Sequence, residues 1–319
     1  MPRHYELPPA PKNLVWGFLD ASIAPVLRVA SGDTLTIHAL PAGGADCLPP
    51  GREVEKEYLT AIETVPQGPG PHFLTGPVYV SGARVGDVLQ IDILDMKLRY
   101  DWGFVSILPL LGTLPDEFND YETIHPEIDI NRKVARLPWG METPLDPFFG
   151  ILATAPPPAW GRCGSPVPRV FGGNMDNKEL KPGATLFLPI FNDGALFFAG
   201  DGHALQGDGE VCVTALETAV SGTFRLTVRK DLAYRWPFAE TPDALMSIGL
   251  DEDLDNAMRQ AVREMISHVC ARTRLTPNHA YMLCSLAGNL CITQTVDGNK
   301  GVHMLLEKRH LGPLHCPRS

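Results

Sequence analysis

The polar residues best suited to chemistry lie in two short stretches of this chain of 319 residues. The first stretch, FGGNMDN, spans residues 171–177, and the second, AGDGHALQGDGE, spans residues 199–210. Their candidate ligands and catalysts are Asn174, Asp176, Asp201, His203 and Glu210. Carboxylates and a neutral imidazole are the ligands of zinc and similar divalent cations, and the oxygen donors also suit calcium. The two stretches therefore predict a metal site.

The second stretch contains four glycines, which allow tight turns and a close approach of the backbone to a ligand. We expect them to gather the polar residues of 199–210 into one short loop. Glu210 then begins an alternating strand over 210–216, on which its side chain would point inward. A buried carboxylate needs a partner because burying an unpaired charge is costly. A metal ion or His203 would serve.

Other polar residues have simpler explanations. Asn177 and Asp208 are of the types that form ordinary turns. His72, before the strand predicted over 78–80, suits a metal ligand and a cap equally well. Cys163 has no basic partner evident in the sequence, and the serine-hydrolase and nucleotide-binding motifs are absent, which argues against those enzyme classes.

The surrounding elements indicate a mainly β protein, because 30 glycines and 30 prolines separate many short apolar segments. Apolar residues at three- and four-residue steps predict a helix over 251–274, with acidic residues in its first turn and basic residues in its last. A second helix is predicted from Pro277 to about Ala287, followed by a strand over 290–295. We expect a β-rich body, residues 1–230, that carries the metal site, and a small α+β portion, residues 231–319, packed on it.

Composition limits the partners and the location. The chain has 27 basic and 37 acidic residues, a net charge of −10, which predicts binding neither to nucleic acid nor to a membrane surface. There is no apolar run of the roughly 18 residues that a membrane helix needs, and the first residues do not read as a signal peptide. The seven cysteines form no CxxC pair, which favours reduced thiols and a cytoplasmic location.

At these motifs the sequence resembles the acetamidase/formamidase family. The matching segments are 29–35, 72–80, 86–89, 114–118, 172–180, 189–210 and 283–301. The resemblance implies a metal-containing hydrolase that releases ammonia from short aliphatic amides, and a chain that forms homo-oligomers. It also implies a mainly β architecture, a jelly-roll-like sandwich with a barrel-like part and a small α+β portion.

Amide hydrolysis requires help for a poor electrophile and for a poor nucleophile. A divalent cation polarises a carbonyl and lowers the pKa of bound water from about 15.7 towards 7. We expect Asp176, Asp201 and His203 to hold it, with zinc favoured over calcium. Glu210 would act as general base and Asn174 would stabilise the oxyanion, with His203 also counted as catalytic. Glu210 as a ligand, with an aspartate as the base, is an equal alternative.

Two rival functions remain open. One is a non-catalytic β-sandwich in which calcium organises the loop, although a structural calcium site prefers oxygen donors alone. The other is a hydrolase of cyclic amides such as γ-lactams, which needs a wider pocket.

Overall fold

The structure, a computed structural model, describes residues 2–312 and is mainly β. The strands and helices are numbered here in chain order. The described α-helices are α1 (Lys56–Thr64), α2 (Leu254–Arg272) and α3 (Pro277–Ala287). No helix among these residues is both long enough and apolar enough to cross a membrane.

Most strands belong to two large sheets. The first sheet runs in the spatial order β1 (His4–Leu7), β5 (Thr34–His38), β19 (Val220–Arg229), β7 (Val88–Leu98), β16 (Thr185–Pro189), β20 (Phe238–Glu240), β21 (Ala244–Asp251), β23 (Lys300–Glu307) and β22 (Gly288–Gln294). The second runs in the order β15 (Gly172–Asn174), β13 (Phe148–Ala153), β17 (Phe197–Leu205), β6 (Phe73–Ser81) and β2 (Leu14–Trp16), with β18 (Leu216–Glu217) beside β17 and β4 (Leu27–Ala30) beside β6.

Three small sheets decorate the large ones. They are β10 (Glu127–Asp129) with β11 (Val134–Arg136) and β12 (Glu142–Pro144), β3 (Phe18–Leu19) with β14 (Cys163–Gly164), and β8 (Val105–Ile107) with β9 (Glu122–Ile124). Pairing between the strands is antiparallel except for β1 with β5 and β4 with β6.

The two large sheets pack face to face through an apolar core. Phe224 of the first sheet lies with its ring centroid 5.3 Å from that of Phe149 and 6.0 Å from that of Phe197, both in the second sheet. All three side chains are fully buried, and removal of apolar surface from water is the main force that holds such layers together. The architecture is therefore a β-sandwich.

The C-terminal helices cover one end of the first sheet. Asp253 caps α2 by accepting a hydrogen bond from the Asn256 N–H, and Thr276 caps α3 in the same way. Ala257, Ala261 and Met265 of α2 then pack on the strands β20–β23. Both helices predicted from the sequence are confirmed, and the strand predicted over 290–295 is β22. Helix α1 was not predicted.

The sheets differ from the expected architecture in one respect. The first sheet ends at β1 on one side and β22 on the other, and the described strands close into no barrel, so the barrel-like part is not found. Strands β20–β23 extend the same sheet as β1 and β5. The division at residue 230 thus falls within one continuous sheet, and it stays a prediction.

Candidate metal centre

The predicted site residues come from two strands and two loops beside strand β13. Asp201 and His203 lie on β17, which pairs with one edge of β13, and Asp176 follows β15, which pairs with the other edge. The Asp176 N–H donates to the Gly150 carbonyl at 3.2 Å, which holds the loop against β13. Carboxylates from the segments on both sides of β13 therefore lie close to the middle of this strand.

The expected loop over 199–210 is wrong in extent, because residues 197–205 form strand β17 and only 206–210 form a loop. The strand glycines have a different purpose. A β-carbon on Gly202 would lie 2.6 Å from the Thr218 carbonyl, and one on Gly200 would collide with the Phe73 carbonyl. They permit close strand packing, a role that glycine plays inside strands as well as in turns.

The strand expected over 210–216 is also wrong. Glu210 has a φ of 45°, and the chain turns before it reaches β18. The reason lies in a distant segment, because the Gly209 N–H donates to the Thr293 carbonyl at 3.0 Å and the Thr295 N–H donates to the Gly209 carbonyl at 3.1 Å. This contact with the end of β22 outweighs the local alternation of residue types.

Three acidic site residues adopt left-handed backbone conformations. The φ angles are 47° for Asp176, 61° for Asp201 and 45° for Glu210. Non-glycine residues with positive φ are uncommon, and those that persist cluster at functional sites because the surrounding structure enforces them. The unusual backbone conformations therefore occur at three of the residues that were predicted from their side-chain chemistry to form the site.

His203 lies at the centre of the acidic cluster. Its Nε2 is 3.2 Å from Asp201 Oδ2 and 3.2 Å from Glu217 Oε1, and its Nδ1 is 3.8 Å from Asp176 Oδ1. Asp176, His203 and Glu210 each offer a ligand atom within 4.8 Å of the others, and so do Asp201, His203 and Glu217. Four of the five predicted residues are therefore brought together.

Asn174, the fifth, lies on β15 two residues before Asp176. It is buried, and its side-chain oxygen has no hydrogen-bond partner. Its role at an oxyanion stays a prediction.

Burial and the charges of neighbouring groups shift the pKa values of the cluster residues. Burial, followed by the neighbouring Asp176 carboxylate, raises the pKa of Glu210 well above its usual value. Burial also raises the pKa of Glu217, to about 7. For Asp201 the same effect is outweighed by the positive charge of His203, and its pKa falls to about 2. Burial opposes a charge on His203, but Glu217 and Asp201 together raise its pKa.

The residues fit a divalent cation, by two tests. First, both Asp176 carboxylate oxygens, Asp201 Oδ1, Glu210 Oε2 and His203 Nε2 are buried without a hydrogen-bond partner. Such atoms cost free energy unless something satisfies them. Second, a β-carbon on Gly150 would collide with Asp176 Oδ1 and Asp201 Oδ2, so glycine keeps the space between the donors open.

A buried glutamine fixes the imidazole. The His203 Nδ1–H donates to Gln206 Oε1 at 3.0 Å, and Gln206 Nε2 donates to the Asp176 carbonyl at 2.7 Å. With its proton on Nδ1, a neutral His203 presents the Nε2 lone pair towards Asp201 and Glu217. An outer hydrogen bond of this kind sets the tautomer of metal-binding histidines.

Sequence reasoning missed two carboxylates of this cluster. Glu217 lies opposite His203 in the β17–β18 pairing. Asp297 follows β22 and is buried near Asp176, and burial together with the Asp176 carboxylate raises the pKa of Asp297 well above its usual value. Neither belongs to a recognisable motif. Asp297 precedes a glycine and reads as a turn former, so only the long-range pairing of strands reveals either residue.

His72 was left open between ligand and cap. The structure places its Nε2 3.9 Å from Asp201 Oδ2 and its Nδ1 2.7 Å from Ser165 Oγ. It therefore lies beside the cluster.

A surface cleft of about 290 Å³ borders the cluster at Glu210. Gln206 and Glu210 form part of its lining, with apolar side chains that include Val105, Leu137 and Leu216. A small organic molecule fits within this volume.

The fold and the site define a β-sandwich protein with a buried cluster of carboxylates and an imidazole suited to a divalent metal. The model of the acetamidase/formamidase family matches residues 21–160 and 164–305. The chain belongs to this family, and the resemblance seen in the sequence is confirmed.

Two solved structures are similar to this chain over nearly its whole length. An acetamidase from Bacillus halodurans is 33% identical with a TM-score of 0.84, covering 98% of this chain and 100% of that chain. A γ-lactamase from Delftia acidovorans, 20% identical with a TM-score of 0.62 over 98% of this chain and 95% of that chain, shares the fold.

Two curated relatives match over shorter regions. The acetamidase of Mycolicibacterium smegmatis is 28% identical over 203 residues, 44% of this chain and 49% of that protein. The formamidase of Methylophilus methylotrophus is 30% identical over 192 residues, 44% of this chain and 47% of that protein. The matched part of the chain spans about half the length of these curated relatives.

Proposed function

We propose that this chain hydrolyses small linear amides of the acetamide and formamide type, releasing ammonia and a carboxylate. The observation that carries the proposal is the buried cluster around His203, with ligand atoms that lack protein partners, in a chain of the acetamidase/formamidase family. Relatives named acetamidase and formamidase support the choice of substrate.

In this proposal Asp176, Asp201 and His203 hold a divalent cation, and Glu217 is positioned to add a fourth donor. Zinc is favoured because an imidazole lies among the donors, and calcium is the alternative. When bound, the cation polarises the amide carbonyl and lowers the pKa of water.

The remaining residues handle protons and charge. Glu210 takes a proton from the water that adds to the carbonyl carbon, and returns it to the nitrogen as the C–N bond breaks and ammonia leaves. Burial and the neighbouring Asp176 carboxylate raise the pKa of Glu210, which makes it a stronger proton acceptor than an exposed glutamate. Asn174 would stabilise the oxyanion of the tetrahedral intermediate. If Glu210 is a ligand instead, an aspartate acts as the base.

Two further aspects belong to the proposal. We infer a cytoplasmic location, supported by the six cysteines among the described residues, all of which are unpaired. We also infer a homo-oligomer, for which the next subsection identifies a surface.

The rivals are weaker on specific grounds. A structural calcium site prefers oxygen donors, whereas His203 sits centrally among these carboxylates. Cyclic amides as substrates have no support beyond the likeness to the γ-lactamase, and at 20% identity that likeness concerns the fold alone. The jelly-roll-like arrangement of the strands stays a prediction.

The test is a substrate panel. Zinc-loaded protein is incubated with formamide, acetamide and propionamide, with ammonia as the readout, and with a γ-lactam, with the ring-opened amino acid as the readout. We expect turnover of the linear amides and loss of it in His203→Ala. Ring opening of the lactam alone, or no turnover of any amide by fully loaded protein, would refute the proposed substrate class.

A further inference from the structure

The outer edge of the first sheet carries an unusual surface. Strand β22 is the last strand of that sheet, and helix α3 precedes it directly. Large apolar side chains on this helix and strand are exposed: Tyr281 (63%), Met282 (60%), Leu286 (86%), Leu290 (42%) and Ile292 (44%). We call these five side chains the α3–β22 face.

The register of β22 shows which side of the sheet Leu290 and Ile292 occupy. Leu290 pairs with Met304 and Ile292 with Val302 on β23, and both partners are buried beneath the helices. Residues opposite each other in an antiparallel pair point to the same side of the sheet. Leu290 and Ile292 therefore lie on the side of the sheet that α3 covers.

The first part of this edge, residues 289–292, lacks the usual protection against pairing. Natural edge strands carry charges, prolines or bulges that prevent another strand from adding. In β22, Asn289–Ile292 contains neither charge nor proline, and the register shift of this strand comes after it, between Ile292 and Gln294. Within residues 2–312 no strand pairs with the outer edge of 289–292. The outer edge therefore remains available to a further strand.

The charge distribution identifies the partner. Residues 275–296 contain no Asp, Glu, Lys or Arg, although charged residues make up 20% of the chain. Under two-fold symmetry a surface meets a copy of itself, so a charged surface of one sign would repel its partner. For a chain with a net charge of −10, an uncharged apolar face is suited to self-association.

The α3–β22 face is large enough to form most of a standard-size protein–protein interface. Its five side chains expose on the order of 600 Å² of apolar surface, compared with about 800 Å² per partner in a standard-size interface. Isolated monomers rarely expose more than about 300–600 Å² in one patch. The backbone of β22 and the polar residues around the face supply the remaining area.

We infer that the α3–β22 face is the two-fold interface of a homodimer, with β22 of one copy antiparallel to β22 of the other and the α3 helices side by side. The two first sheets then form one continuous sheet. This inference concerns a surface and does not depend on amide hydrolysis.

Sedimentation velocity and light scattering of the full chain test it. We expect a dimer for the wild type at micromolar concentration. Leu286→Glu should raise the dissociation constant about a thousandfold, because two-fold symmetry places the substitution in the interface twice. The matched control is Val85→Glu, which changes a side chain that is 64% exposed in the turn between β6 and β7 and should remain dimeric.

Hydrogen exchange of the β22 amides supplies the second measurement. Residues 289–292 should be protected in the wild type and should lose protection in Leu286→Glu, while α2 stays protected in both and shows that the variant is folded. A wild type that is monomeric at high micromolar concentration would overturn the inference. So would a folded Leu286→Glu that stays dimeric, or dissociation caused instead by Leu110→Glu at the exposed 110–121 segment.

Discussion

Gln206 is the residue whose replacement most sharply tests how the candidate metal centre is organised. Its side-chain oxygen accepts from His203 Nδ1 and its nitrogen donates to the Asp176 carbonyl, at 3.0 Å and 2.7 Å. In Gln206→Leu, both hydrogen bonds are lost while the volume is nearly kept. The His203 ring is then free to move its proton to Nε2, where it blocks the lone pair that a cation needs.

The expected effect follows from these two contacts. Loss of an outer-shell partner of a metal-binding histidine typically weakens metal affinity 10–100-fold, which corresponds to about 1.4–2.8 kcal/mol. A buried N–H left without an acceptor costs about 1–3 kcal/mol, which agrees with that range. Gln206→Glu keeps an acceptor for Nδ1 but loses the donor to Asp176, so we expect a smaller loss, below about tenfold.

The assay is competition for zinc between the protein and a chromophoric chelator, with 15N NMR of the His203 ring to follow the tautomer. His268→Phe serves as a control, because this buried histidine contacts Phe238 and Arg272 and is remote from the carboxylates. Unchanged zinc affinity in a folded Gln206→Leu would show that Gln206 does not hold the His203 ring for metal binding. Equal losses in Gln206→Leu and Gln206→Glu would show that the acceptor is unimportant.

Three other predictions address the pH dependence and the space at the site. Zinc binding requires deprotonated carboxylates, and burial raises the pKa of Glu217 to about 7. Below pH 7 the zinc affinity should therefore fall about tenfold per pH unit for each proton that the metal displaces. Zinc titrations at pH 8 and 6 check this, and a slope unchanged in Glu217→Gln contradicts it. Burial lowers the pKa of His268 to about 3 in the folded protein, whereas the usual value is about 6.5. Between these two values only the unfolded chain takes up the proton, so the free energy of unfolding decreases as the pH is lowered. Urea unfolding at pH 7 and 5 should show the wild type losing about 2 kcal/mol relative to His268→Phe, and parallel losses would count against it. Gly150→Ala should abolish zinc binding because its methyl group meets the donor oxygens, whereas Gly207→Ala, which has open space, should retain it; equal affinities in a titration would show that the space is not needed.

The sequence was sufficient for those features that depend on local patterns. Helix α2 follows from its apolar period and from the acidic residues at its start and the basic residues at its end. Asp201 and His203 were identified because carboxylate and imidazole beside glycine form a rare combination. In these cases the physical cause and the pattern lie within a few residues of each other.

Features set by distant contacts could not be predicted. Glu217 joins the cluster only because β18 pairs with β17, and Glu210 leaves its expected strand because Gly209 bonds to the end of β22. The strand β17 was missed as an element for a related reason, since Gly200 and Gly202 resemble turn residues but permit close approach of neighbouring chains. No local window contains these partners.

In the proposed function, the carboxylate and imidazole cluster around His203 hydrolyses small linear amides. The most direct measurement is ammonia release from acetamide and formamide by zinc-loaded wild type, compared with His203→Ala at the same protein concentration. We expect steady turnover by the wild type and a loss of at least about a hundredfold in the variant. Equal turnover by the two proteins, or none by a fully loaded wild type, would contradict it.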